Sequence, residues 1–195
     1  MKKIALLTAC SLFIFATSCK KEKKEAKEVI EETVEEVKEE VEEVMAKEVK
    51  FPLEAKSDSG VTGEVTFREE GGKVMMVAYL SGLTEGEHAI HLHEKADCSS
   101  ADGKSTGGHW NPTHQPHGKW GASEGYHKGD IGNFKADAEG KAKVTFETDQ
   151  WCIGCDDPNK NILGKAVIVH QGVDDFTSQP SGAAGARISC AGIIE

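Results

Sequence analysis

Gly86-Glu87-His88-Ala89-Ile90-His91-Leu92-His93 is the stretch on which the fold turns. Ile90 and Leu92 share one parity, while His91 and His93 share the other. Alternation at every second position is the period of a β-strand, whose successive side chains leave opposite faces. The strand sends two aliphatics to one face and two imidazoles, about 7 Å apart, to the other. Two imidazoles so placed grip one metal ion from one side. His88 has the aliphatic parity, so packing or hydrogen bonding suits it better than ligation.

Seven further segments carry strand character: Val49 to Lys56, Gly63 to Arg68, Lys73 to Leu80, Ile131 to Ala136, Ala142 to Glu147, Ala166 to His170 and Arg187 to Ile193. Turns such as Glu70-Gly71-Gly72 and Ala138-Glu139-Gly140 separate several of them. Eight short strands within residues 49–195, in a chain with 21 glycines, read as an all-β sandwich or barrel. Two connections are too long for hairpin turns, Glu94 to Asp130 and Gln171 to Ala186. Long loops on a β scaffold are commonly functional.

The N-terminal part has a different composition. Met1 to Lys3 is basic and Ile4 to Ser18 is apolar, too short for a membrane span of roughly 20 residues but right for an export signal. Ala16-Thr17-Ser18-Cys19 ends that run and resembles a bacterial lipoprotein signal, which implies cleavage after residue 18 and lipidation of Cys19. Leu7-Thr8-Ala9-Cys10 fits the same pattern but would leave too short an apolar region. Residues 20–48 are almost entirely Lys, Glu, Val and Ala. Ile30, Val34, Val37, Val41 and Val44 step by helical intervals. A charged, partly helical tether over 19–48 is expected, with a short coiled coil as the sharper alternative. Over the whole chain, 23 basic and 33 acidic residues leave a net charge of −10. That balance argues against nucleic acid as the main partner, because phosphate binding needs a basic face.

Histidine is the informative excess. Seven of the eight fall within residues 88–127, and the long loop supplies His109, His114, His117, His127 and Asp130. His127-Lys128-Gly129-Asp130 offers an imidazole and a carboxylate just before the next strand. Three nitrogens and a carboxylate oxygen make a tetrahedral zinc site. His170 ends its strand and completes the His91/His93 set, and imidazole ligation without thiolate suits copper or zinc. Taken singly, each histidine reads as an ordinary surface or core residue; together they do not.

The ordered motifs resemble one family. Gly86-Glu87-His88-Ala89-Ile90-His91-Leu92-His93-Glu94, Gly108-His109-Trp110-Asn111-Pro112, His127-Lys128-Gly129-Asp130-Ile131-Gly132-Asn133, Val169-His170 and Gly185-Ala186-Arg187-Ile188-Ser189-Cys190 are similar to those of copper/zinc superoxide dismutases. The resemblance covers residues 49–195 and implies an eight-stranded Greek-key β-barrel or sandwich. It implies copper on His91, His93, His109 and His170, and zinc on His109, His117, His127 and Asp130, with His109 bridging. It further implies Asp174 as the carboxylate linking a copper histidine to a zinc histidine, His88 as a structural histidine, and Arg187 as the anion guide. His114 has no assigned role and reads as a loop surface residue, with an extra zinc contact as its alternative.

The implied activity is dismutation of superoxide to dioxygen and hydrogen peroxide, with copper doing the redox chemistry and His109 moving a proton. A Cys98–Cys190 disulfide follows from the same resemblance and suits an exported protein. Cys152-Ile153-Gly154-Cys155 lies outside the family pattern; a local disulfide is favoured over free thiols or an extra metal site. The loop resembling the family's electrostatic loop, Gln171 to Ala186, has no lysine, which leaves open what assists Arg187 in steering. The expected partners are superoxide and a membrane through the lipid anchor, at the bacterial cell envelope, periplasmic or surface-facing; a homodimer is left open, since the sequence does not give the oligomeric state. Two other readings use the same residues: a copper-holding module without turnover, and a zinc-stabilised structural sandwich.

Overall fold

The computed structural model describes residues 46–194. The expected signal peptide, Cys19 and nearly all of the helical tether lie outside the described residues. Among the described residues no helix is long and apolar enough to cross a membrane.

Eight antiparallel strands form one nearly closed barrel: β1 (Lys47–Ala55), β2 (Thr62–Glu70), β3 (Lys73–Ser81), β4 (Gly86–His93), β5 (Gly132–Ala136), β6 (Ala142–Thr148), β7 (Ala166–His170) and β8 (Arg187–Gly192). Their order is β5-β4-β7-β8-β1-β2-β3-β6. Strand β3 pairs with β6 and β4 with β7, so the chain crosses between the two halves of the sheet, the Greek-key connection. The turn from Asp137 to Lys141 joins β5 to β6 and brings the two ends of the sheet into contact.

All eight expected strands are present, with no end shifted by more than two residues. Two ends move by two residues: β2 runs on to Glu70 rather than Arg68, and β1 starts at Lys47 rather than Val49. Lys47 and Glu48 extend the ladder opposite Glu69 and Arg68, and Lys47 Nζ donates to the Ile153 carbonyl at 2.9 Å. Charged residues that read as tether by composition are therefore strand by pairing.

The core follows from the alternation. Val65, Phe67, Val74, Met76 and Ala78 face Ile90, Leu92, Val167 and Val169 across the barrel, all fully buried. Each such large aliphatic or aromatic side chain contributes about 1.5–3 kcal/mol by leaving water. Trp151 and Ile162, from the β6–β7 connection, join the same core. On the opposite face of β4 and β7 lie His91, His93 and His170, which are buried as well. The two long loops cover them.

Candidate metal centre

Strand β4 supplies His91 and His93 by simple alternation. The loop after it is laced back onto β4: the Glu94 N–H donates to the Gly108 carbonyl, the Trp110 N–H to Leu92, and the Leu92 N–H to Gly129. His109 is thereby paired opposite His93 as a one-residue antiparallel bridge. Gly129 is needed for this approach, since a Cβ there would sit 2.2 Å from the Leu92 carbonyl oxygen.

His170 and Arg187 arrive by a different device. Val169 pairs with Ser189 but His170 pairs with Arg187, so Ile188 is an extra residue in β8. Such a bulge re-aims side chains. Ile188, Ala191 and Ile193 lie in the core, and by unbroken alternation Arg187 would share the parity of Ala191 and Ile193. The bulge instead turns it out to the face that carries His170. There Arg187 Nη1 donates to the Gly103 carbonyl at 2.9 Å and to Thr106 Oγ1 at 3.0 Å.

The result is two groups of four, each with its ligand atoms within 4.8 Å of one another: His91, His93, His109 and His170; and His109, His117, His127 and Asp130. All seven residues are buried, and His109 belongs to both groups. Its Nδ1 lies 2.8 Å from Asp130 Oδ1, while its Nε2 is buried without a hydrogen-bond partner. His91 Nδ1, His117 Nδ1 and His127 Nδ1 are likewise buried without one. Unpaired nitrogens converging in two places fit metal ligation, since buried polar atoms otherwise find partners. His117 Nδ1 and His127 Nδ1 do lie 3.0 and 3.2 Å from Asp130 oxygens, as ligands around a shared ion would.

Copper/zinc superoxide dismutase matches residues 61–193. This chain belongs to that family. Solved structures agree. A SOD-like protein from Bacillus subtilis, in a double mutant with two substitutions to histidine, is 30% identical with a TM-score of 0.66, over 75% of this chain and 97% of that one. The same protein without substitutions is 28% identical, TM-score 0.66, over 74% and 97%. The clock protein EA4 is 31% identical, TM-score 0.64, over 75% and 94%.

As in the family pattern, Asp174 joins the two groups from outside. Its Oδ2 is 2.9 Å from His91 Nε2 and its Oδ1 is 2.9 Å from His117 Nε2. The Asn133 side chain fixes Asp174 in turn, donating to its carbonyl at 2.9 Å and accepting from its N–H at 2.8 Å. Burial, with the neighbouring imidazoles, pushes the His93 and His170 pKa values well below the usual histidine range. Burial also lowers His109, to about 4, against its bond to Asp130. Burial opposes charge on His117 too, but its bonds to Asp130 and Asp174 prevail and push it up to about 9. Hydrogen bonds from His109, His117 and His127 at Asp130, and from His117 and His91 at Asp174, overcome burial and hold both carboxyls below their usual range. Carboxylates anionic and His93, His109 and His170 neutral is the protonation state that metal ligation requires.

His88 is a structural residue, as its parity indicated: its ring stacks on Phe134, Nδ1 faces the His170 carbonyl at 3.1 Å, and Nε2 faces Thr84. His114 is exposed and belongs to neither group. Cys98–Cys190 and Cys152–Cys155 are both disulfides. A cleft of about 550 Å³ opens beside His93, His109 and His170, with Arg187 on its wall. Lys104 lines it too, a cation that the sequence reading missed because it sits in the first loop and not the second. Its place five residues before His109 was the available signal.

Proposed function

We propose that this protein dismutes superoxide to dioxygen and hydrogen peroxide, two superoxide anions and two protons giving one of each product. Copper is held by His91, His93, His109 and His170, and zinc by His109, His117, His127 and Asp130. Bound there, copper supplies one-electron redox chemistry and zinc a fixed positive charge. The observation that carries this reading is His109, one buried imidazole that belongs to both ligand groups, with Nδ1 beside Asp130 and Nε2 without a hydrogen-bond partner.

His109 Nε2 is the atom placed to take a proton and return it to the reduced substrate. Asp130 orients the ring through Nδ1, and Asp174 fixes the tautomers of His91 and His117. Arg187, anchored through Nη1, keeps further guanidinium donors for an anion in the cleft. Lys104 adds charge at the same cleft, although its ammonium also meets Asp102 at 3.0 Å. An export signal ending at residue 18 and lipidation of Cys19 would put the activity at the bacterial envelope.

A second reading is a copper-holding protein without turnover, since the similar structures include a SOD-like protein and a clock protein. Such a protein is expected to lack a copper ligand or the guide arginine, and this chain has all of them. Metal analysis with a superoxide-consumption assay on the purified full chain separates the two. Copper and zinc bound with rapid consumption is expected. Full occupancy without consumption overturns the enzyme reading.

A further inference from the structure

His117 is the one ligand of the two groups that no strand, bridge or tight ligand turn supports. It follows Thr113, His114, Gln115 and Pro116, all exposed, yet it is itself only 3% exposed. A buried residue outside the ladder still has a backbone N–H and C=O that need partners. Both are met by one side chain. Gln179 Oε1 accepts from the His117 N–H at 2.9 Å, and Gln179 Nε2 donates to the His117 carbonyl at 2.9 Å. The carboxamide thus takes the place of a neighbouring strand for this single residue. It does so from the other long loop, 62 residues further along the chain.

We infer that Gln179 is a positioning residue: its carboxamide fixes the backbone of His117, and so ties metal retention in the Asp130-containing group to the rim of the substrate cleft. The inference rests on the zinc site proposed above. Asp174 reaches the ring of His117 and Gln179 reaches its backbone, so the loop from Gln171 to Ala186 holds this ligand at two separate points. The residues immediately after Gln179, Pro180 and Ser181, line the cleft. The clasp therefore acts in both directions. A metal that immobilises His117 also immobilises the rim, and a loosened rim releases His117. Nothing in composition marks Gln179, which is exposed on its outer side while both ends of its amide are engaged.

The test uses the full chain and two variants, Gln179→Ala and Gln179→Met. Methionine keeps the length and bulk of glutamine but supplies neither an amide donor nor its carbonyl acceptor. Zinc affinity is read by competition with a chromogenic chelator, and copper affinity separately. Hydrogen exchange across residues 177–183 is followed with and without zinc. Outer partners of ligands typically support affinity by 10–100-fold, and for a backbone clasp about tenfold weaker zinc is expected in both variants. Copper affinity should change by less than about threefold, since His91, His93 and His170 are untouched, and zinc should slow exchange at the rim only with Gln179 present. Wild-type zinc affinity in both variants overturns the inference, as does recovery in Gln179→Met, which would make the contact one of bulk. Equal loss of both metals overturns it too, as general destabilisation. A wild-type chain that binds no zinc overturns the underlying site instead.

Discussion

Single side chains in this protein act through where their charge and nitrogen atoms are fixed. Arg187 is half-buried and tied to the loop that precedes His109, so its cation stays at the cleft wall. The proposed substrate is an anion, while residues 49–195 hold 14 basic and 21 acidic side chains, so local charge must overcome a repulsive average. Local steering of this kind changes encounter rates by about tenfold or more and weakens with ionic strength. Arg187→Ala should lower kcat/KM about tenfold and flatten its salt dependence; Lys104→Ala should do the same by about twofold. Identical kinetics from low to high salt in wild type and Arg187→Ala would remove the steering role. Gly182 illustrates the opposite constraint, a side chain that must be absent. Its φ is +65°, and a Cβ there would lie 1.8 Å from Asp174 Oδ1 and 2.7 Å from His117 Nε2. Gly182→Ala should displace Asp174 and weaken zinc retention by about 10–100-fold, measured by chelator competition. Unchanged retention would mean that Asp174 does not organise the site.

At the scale of elements, the two disulfides do unequal work. Cys98–Cys190 ties the first long loop to β8 across a sequence separation of 92, whereas Cys152–Cys155 spans a separation of 3. On the chain-entropy account the first stabilises the fold by about 4–5 kcal/mol and the second by about 2 kcal/mol. Urea unfolding of the Cys98→Ser/Cys190→Ser and Cys152→Ser/Cys155→Ser double variants should show that order, and the reverse order would contradict it. The local bridge has support besides its sulfurs. The Ile153 N–H donates to Glu69, the Cys152 N–H to the Lys160 carbonyl, and the Gly154 N–H to Asn161. The strands themselves were legible because each carries its own period, and Ile90-His91-Leu92-His93 states both the fold and half of one metal site. The bulge at Ile188 was not legible. It depends on how β8 meets β7, and no residue in Arg187-Ile188-Ser189-Cys190 announces it.

For the whole molecule, the metal-free form should be sensitive to acid. His93, His109 and His170 have folded pKa values below the ordinary value near 6.5, so protons favour the unfolded chain. Their contribution is intact above about pH 6.5 and is lost as pH falls below it, for His109 down to about 4. His117 is raised to about 9, so its contribution is complete throughout that window. Asp130 and Asp174 are lowered, so theirs persists until about pH 4. Between those limits the depressed imidazoles of His93, His109 and His170 act, and stability should fall as pH is lowered through that window. Urea midpoints of the metal-stripped chain at pH 7, 6 and 5 test this; a constant midpoint would refute it.

The sequence by itself determined the eight strands and the histidine excess, because alternation, turn glycines and histidine clustering are local or ordered along the chain, while the division of the ligands into two groups came from the resemblance of its ordered motifs to one family. The tertiary structure alone decided what depends on two distant segments meeting. It turned Arg187 outward through a bulge, brought Lys104 to the same cleft from the other loop, and closed Gln179 on the backbone of His117. It also moved the start of β1 to Lys47, where cross-strand pairing with Glu69 overrides a composition that reads as tether. Periodicity records which face a residue takes within its own element. Pairing between elements is what sets register, and register is what aims a side chain at a partner far away in sequence.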